Sequence, residues 1–583
     1  MIEQVIAEGA TTQELASGRR LEPLGGSFAG LELGHVSGCA WHKRQQYAFD
    51  CHPWMTRFSS VVMKGWIAPA LVAVTAFTGG CRAQDLAVPP AAEEISLQRP
   101  THRQVPKPPA ATAQALWVAL ADHLGQAAGG DHSAALLTLR SAGAAPLRLL
   151  APGGGSKPLA TGASLRFSWR AVPLAKPVEL ARQVAGPFAS FESADRVAQR
   201  WRAQGVEALV AHPKDWQVWA PESAAPLPNV PTRLWTATVQ ATVQPVLEGP
   251  KGGRTLKGPL LIEAPDGLRW KGGVMRGPFR LQADAYGSWT LLEQVPLERY
   301  LEGVVPHEIG AGSPAAALQA QAVLARTWAL ANSHRFAVDG YHLCSDTQCQ
   351  VYSDPRQAGP AVRQAIQATA GQVLQWQGSP ISAVYHASNG GVMAGATEAW
   401  AMEPAPYLRA QADGDQSWRG AVVLPLQNDA AVEALLNKRQ GAYGAGHPRF
   451  RWSRTYSASQ LQAALATQTP RLGVVKAVSV LERGPSGRVL ALQIKGDGPG
   501  SPQVLRLDGI RRTLRRLPST LFVVKPAGAG LWRFQGGGFG HGAGLSQAGA
   551  IDLARRGQSV EQILRHYYPG TTLVPVSALR QAP

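Results

Sequence analysis

Val304-Val305-Pro306-His307-Glu308-Ile309-Gly310-Ala311-Gly312-Ser313-Pro314 marks the point where an extended, glycine-punctuated chain turns into a helix. Upstream, residues 230–305 alternate apolar and polar positions around turns, as in Gly277-Pro278-Phe279-Arg280-Leu281-Gln282-Ala283, which is a strand pattern. Downstream, Ser313 is suited to an N-cap and Pro314 to the first turn, and Ala, Leu and Gln dominate to Ala331. The reading is α+β: a multidomain chain with β-rich N-terminal modules followed by a mixed α/β domain of catalytic type.

Composition agrees. The chain has 583 residues with 62 Gly, 44 Pro and 17 Trp, which excludes a helical bundle. At roughly 100–200 residues per domain it accommodates three or four. Its 57 Lys+Arg against 39 Asp+Glu give a net charge of +18, which suits an anionic cell wall or membrane surface. The basic residues are scattered and no zinc-finger spacing occurs, so nucleic acid is not an expected partner.

Met63-Lys64, an apolar stretch over 66–77 and Gly79-Gly80-Cys81-Arg82-Ala83 together form a secretory-signal pattern. The expectation is an exported protein of the periplasm or cell envelope, with 1–62 a non-native extension, 63–83 a signal peptide and 84–112 a Pro/Gln/Ala linker. Contact with a membrane would come only through the signal or an anchor segment. Residues 113–230 read as a small β-rich region. Within it, an apolar helical face over 194–203, Gly205 and the strand-like 206–210 resemble half of a sporulation-related repeat. An Asn/Lys/Gly-rich segment at 428–450 reads as an insertion, and strands are expected near 474–525.

Three groups could carry chemistry. Glu308 follows an apolar strand end and precedes a helix; shielding by Val, Pro and Ile raises a carboxyl pKa while a helix N-terminus lowers it. The run Gly536-Gly537-Gly538-Phe539-Gly540-His541-Gly542-Ala543-Gly544-Leu545-Ser546-Gln547 lies between a strand at 531–534 and a helix at 546–555. Its glycines permit positive φ and close backbone approach to a ligand. No Gly-Lys-Ser/Thr follows, so hydroxyl-rich sugars fit better than nucleotides. Finally, Cys344 and Cys349 lie near His342. Two readings stand: a disulfide, or a zinc site completed by His342 and His386.

These pieces occur in an order that resembles the stage II sporulation protein D / amidase enhancer (LytB) family. The resemblance is carried by 295–308, by Ala320-Gln321-Ala322-Val323-Leu324-Ala325-Arg326-Thr327 and by Cys349-Gln350-Val351-Tyr352. It continues in Leu517-Pro518-Ser519, in 538–550 and in Ile563-Leu564-Arg565-His566-Tyr567-Tyr568-Pro569-Gly570. It assigns 231–578 to one domain of that family. It implies an exported lytic transglycosylase that cleaves MurNAc–GlcNAc bonds of peptidoglycan strands stripped of stem peptides. Glu308 matches the catalytic glutamate, which protonates the glycosidic oxygen and then takes the C6 hydroxyl proton as a 1,6-anhydro ring closes. A hydrolase would ordinarily need a second carboxylate; Glu298 and Glu302 read as solvated or structural. His541, Gly542, Gly544, Ser546 and Gln547 would line the sugar cleft. Zinc-binding relatives have His directly before the second Cys, where this chain has Gln348, so zinc is in question and no other cofactor is implied. The alternative is a non-catalytic, glycan-binding enhancer of a cell-wall amidase.

Overall fold

The computed structural model describes residues 115–126, 136–151, 157–250, 252–466 and 469–579. The extension, signal and linker expected over 1–62, 63–83 and 84–112 lie outside them. The mixture of helix and strand agrees with the α+β class.

Two sheets make the N-terminal half. In the first, the strands run Leu343–Cys344, Ala115–Leu124, Trp289–Pro296, Phe279–Ala283, Leu260–Glu263, Leu147–Leu150, Ala160–Gly162. Leu116, Val118 and Leu120 alternate inward at 2% exposure or less, as a half-buried strand requires. In the second, the 25-residue strand Ser164–Phe188 pairs on one side with Leu137–Ser141 and Trp216–Pro221 and also with Thr232–Leu247. A cut at 230/231 therefore does not separate the strands. Ala115–Leu124 pairs with Trp289–Pro296, and Ser164–Phe188 pairs with Thr232–Leu247, both across that point. The helix expected near 194–203 runs Phe191–Arg202, capped by the Ser190 hydroxyl, which accepts from Ser193 N, and Gly205 follows it at φ +76°. Its strand starts later than expected, at Leu209–Ala211.

The helix Ala315–Ala331 is buried on every face from Ala320 to Leu330, which is why its sequence lacks a polar stripe: Ala320, Ala322, Val323, Leu324 and Ala325 are all fully buried. Each such Val or Leu contributes about 1.5–3 kcal/mol. Around it pack the helices Leu297–Val305, Pro360–Ala368, Gln547–Arg555 and Val560–Tyr567 and the strand Gln372–Trp376. Arg326, at 0% exposure within this helix, is neutralised by both carboxyl oxygens of Glu298, at 2.7 and 2.6 Å. Ser313 does not cap the helix. Its hydroxyl donates to the Ile309 carbonyl at 2.8 Å instead, closing the turn before it.

The strands expected near 474–525 form as Val475–Arg483, Val489–Gly496, Gln503–Arg506 and Phe522–Pro526. The 428–450 segment is no loose insertion: Asn428 caps the helix Asp429–Leu436, and Val432, Leu435 and Phe450 join a core with Val392 and Trp418. One short pairing decides the site's geometry. Tyr385–His386 runs parallel to Leu545–Ser546, which zips the Tyr385 loop to the glycine-rich run.

Candidate functional site

Glu308 lies in a single π-type turn, Pro306–Gly310, between the helix Leu297–Val305 and the glycine-bearing approach to Ala315–Ala331. Such a wide turn inside helical chain often marks a functional position. Here it turns a part-buried carboxyl toward three donors. The backbone N–H of Val351 donates to Oε1 at 3.0 Å, and the side chains of Gln547 and Tyr385 also bond to it. These bonds favour the carboxylate, yet loss of solvation outweighs them and pushes the Glu308 pKa up to about 7. Among the described residues no second carboxylate is one of the groups acting on it. Glu298 is occupied with Arg326 and does not serve as one.

The three donors are held from behind. Tyr385 Oη donates to Gln350 Oε1 at 2.8 Å, and the buried Gln350 amide lies against Tyr300 Oη and the Ala325 carbonyl. Gln547 Nε2 reaches Gln321 Oε1 at 3.4 Å. Val351 is placed by the loop closed by the Cys344–Cys349 disulfide, whose Cα atoms are 5.7 Å apart. Gln350 and Val351 follow Cys349 directly, so the disulfide anchors the segment carrying one donor to Glu308 and the support of another.

A zinc site does not fit. Both sulfurs are spent on each other, and neither histidine is arranged as a ligand beside them. His342 Nδ1 accepts from Trp117 N at 2.8 Å, while His386 Nδ1 bonds the Ala543 carbonyl at 3.1 Å in the other strand pair. Among the described residues no cluster of His, Cys, Asp or Glu could hold a metal ion. Cys344 pairs with Cys349, the disulfide alternative of the sequence reading, and Gln348 accepts from Trp216 Nε1 at 3.1 Å.

Residues of the glycine-rich run divide. Gln547 reaches the carboxyl; the others hold the backbone that carries it. Both His541 nitrogens are used internally: Nε2 bonds the Tyr385 carbonyl at 2.8 Å and Nδ1 accepts from Ala543 N at 3.2 Å. Its ring packs on Trp400 at 4.7 Å, and burial pulls its pKa down to about 3, so it is neutral. Ser546 caps the helix Gln547–Arg555 by accepting from Gly549 N. Gly542 and Gly544 have φ of +88° and +70°, and a Cβ would strike the Arg488 guanidinium at the first and the Val384 carbonyl at the second. Their glycines answer a close approach of protein to protein, where the sequence suggested a ligand.

Sequence reasoning passed over Tyr385, Gln350, Val351 and Gln321 as site residues. The signal for Gln350 and Val351 was present, since both lie in the Cys349–Tyr352 motif. Nothing local marks Tyr385, because its position depends on the pairing with Leu545.

Comparison with known proteins fits this arrangement. The family described as Stage II sporulation protein matches residues 285–376, which hold Glu308, Gln350, Val351 and the disulfide. A domain of unknown function (DUF8618) matches residues 394–544. The chain is 30% identical over 298 residues to stage II sporulation protein D of Bacillus amyloliquefaciens, covering 48% of this chain and 75% of that protein. It is 28% identical over 306 residues to the Bacillus subtilis (strain 168) protein of the same name, covering 49% and 77%. Against the amidase enhancer of Bacillus subtilis (strain 168) it is 28% identical over 300 residues, and spans only 40% of that protein's length.

Proposed function

Because the chain belongs to the stage II sporulation protein D / amidase enhancer family, we propose that it acts on peptidoglycan glycan strands as a lytic transglycosylase, with Glu308 as its one acid/base. The observation that carries this reading is a carboxyl whose pKa lies near 7, held by three donors and, among the described residues, supplied with no partner acid. A group poised there is protonated often enough to give a proton and ionised often enough to take one back. In the proposed cycle Glu308 donates its proton to the glycosidic oxygen between MurNAc and GlcNAc, and the C1–O bond breaks. The carboxylate so formed removes the proton of the MurNAc C6 hydroxyl, whose oxygen bonds to C1 as the 1,6-anhydro ring. The glutamate ends protonated, as it began, and no water is consumed. Tyr385, Gln547 and the Val351 N–H stabilise the carboxylate between the two transfers.

The name of the Bacillus subtilis relative supports a second reading, in which the chain binds wall glycan and stimulates a cell-wall amidase. Mass spectrometry of stripped strands incubated with wild type and Glu308→Gln separates the two. The first reading expects anhydro-muramic ends from wild type alone. Stimulation of an amidase by both proteins, with anhydro ends from neither, would replace it with the second.

A further inference from the structure

We propose that the groove between residues 410–424 and the end of the helix Val560–Tyr567 is a carboxylate-binding site that recognises the free lactyl groups of stripped glycan strands. It rests on the reading of the substrate given above and deepens it. The groove is a cavity of about 470 Å³, within the roughly 300–1,000 Å³ of small-ligand sites. Arg419, Arg565 and His566 line it together with Gln411, Leu424 and Pro569, and no acidic side chain does. Arg419 and Arg565 are both exposed, and neither joins an ion pair among the described residues. Arg556 and Arg512, by contrast, pair with Asp552 and Asp215.

His566 is fixed from behind. Its Nε2 bonds Asp413 Oδ1 at 2.8 Å, and Asp413, fully buried, also accepts from Asn389 Nδ2 at 2.6 Å and Tyr567 Oη at 3.1 Å. That fixes the imidazole at the edge of the groove and leaves the two arginines as its ligand-binding groups. Gln411 Nε2 donates to the His566 carbonyl at 2.9 Å, which orients that amide as well. Asp413's charge is thus neutralised by donors on the inner side, and the groove presents cations and an apolar wall.

This combination matches a carboxylate on a methyl-bearing arm of a sugar better than a bare anion. The lactyl group of muramic acid has that form. With a stem peptide attached, its carboxyl is a neutral amide with a bulky extension. Stripped, it is a small anion that an arginine fork can hold by two parallel bonds. The groove would then read the absence of the stem peptide directly. Asn389 ties Asp413 to the same loop that carries Tyr385, so the groove and Glu308 share one structural support.

The test is a binding titration with the full chain carrying Glu308→Gln, so that strands are not consumed. The probes are amidase-stripped strands, the same strands with their lactyl carboxyls converted to methylamides, N-acetylglucosamine oligomers, and a glycerol-phosphate polymer. Arg419→Gln and Arg565→Gln should each weaken binding of stripped strands roughly tenfold. Arg→Lys at either position should restore only part of the affinity, since the ammonium keeps the charge and loses the second parallel bond. The methylamidated strand should bind the parent about as weakly as the stripped strand binds the double Gln variant, and the N-acetylglucosamine oligomers should bind all variants alike. Equal binding of free and amidated strands, or Gln variants that bind like the parent, would overturn the assignment. Arginine-dependent preference for the glycerol-phosphate polymer would also overturn it. Since the readout is binding, a wild type that makes no anhydro ends would defeat the transglycosylase reading while leaving this result intact.

Discussion

Replacing Glu308 by Gln should make the protein more stable, and by an amount that depends on pH. The folded carboxyl has a pKa of about 7 against an ordinary value of 4.5. Below about pH 4.5 both folded and unfolded chains hold the proton, and Glu308 costs the fold nothing. Between about 4.5 and 7 the unfolded chain releases its proton while the folded one keeps it, so the native state loses ground as pH rises. Above about 7 the loss is complete. At about 1.36 kcal/mol per pH unit of separation, the ceiling is about 3.4 kcal/mol. Part of the side chain meets solvent, which reduces the expected figure to about 2 kcal/mol. Gln is isosteric, never ionises and still accepts from the Val351 N–H. Melting of wild type and variant in parallel from about pH 4 to about pH 8 should show curves that coincide at acid pH and separate progressively toward pH 8, the variant higher. A difference that is constant across this range would refute the claim that desolvation dominates at Glu308. So would a variant that melts lower at pH 8.

Further outcomes follow from the same geometry. Strand cleavage by wild type should fall as pH rises through about 7, since the first step needs the protonated acid, and initial rates across pH measure this. Tyr385→Phe removes a bond that favours the carboxylate, so the basic limb of that profile should move to higher pH, with kcat down roughly tenfold. Cys344→Ser should cost about 2 kcal/mol by the loop-closure relation and lower activity through Val351, read by melting and by rate; thiol titration should find this pair unreactive until reductant is added. Gly544→Ala combines positive φ with a clash at the Val384 carbonyl and should destabilise by more than about 1 kcal/mol in thermal melting.

How much of this could be read from sequence depended on whether the deciding contact was local. The strand-to-helix change at 304–331 was legible, because period and capping residues are carried by neighbours. Glu308 was legible as a residue but not as a group, since its pKa depends on Val351, Tyr385 and Gln547, which reach it from other segments. Ser313 had the chemistry of a cap, yet an open carbonyl at Ile309 was a nearer acceptor. The sheets cross the 230/231 point for a related reason: a change in composition is local, whereas the pairing of Ala115–Leu124 with Trp289–Pro296 is not.

The glycine-rich run shows why residue type alone misassigns roles. Alternating glycines state that something approaches the backbone closely, and the sequence does not say what. At Gly542 and Gly544 the visitor is the protein itself, Arg488 and the Val384 carbonyl. The run's contribution to the site is mechanical: it brings Leu545–Ser546 beside Tyr385–His386 and lets Gln547 start a helix at the carboxyl. Tyr385 then joins the carboxyl to the segment beside the disulfide. Its hydroxyl donates to Gln350 Oε1 at 2.8 Å and also lies against the Glu308 carboxyl. Gln350 is held by the segment next to the disulfide. Loss of the Gln350 acceptor should therefore change the pH profile through Tyr385, without any direct contact between Gln350 and the reacting carboxyl.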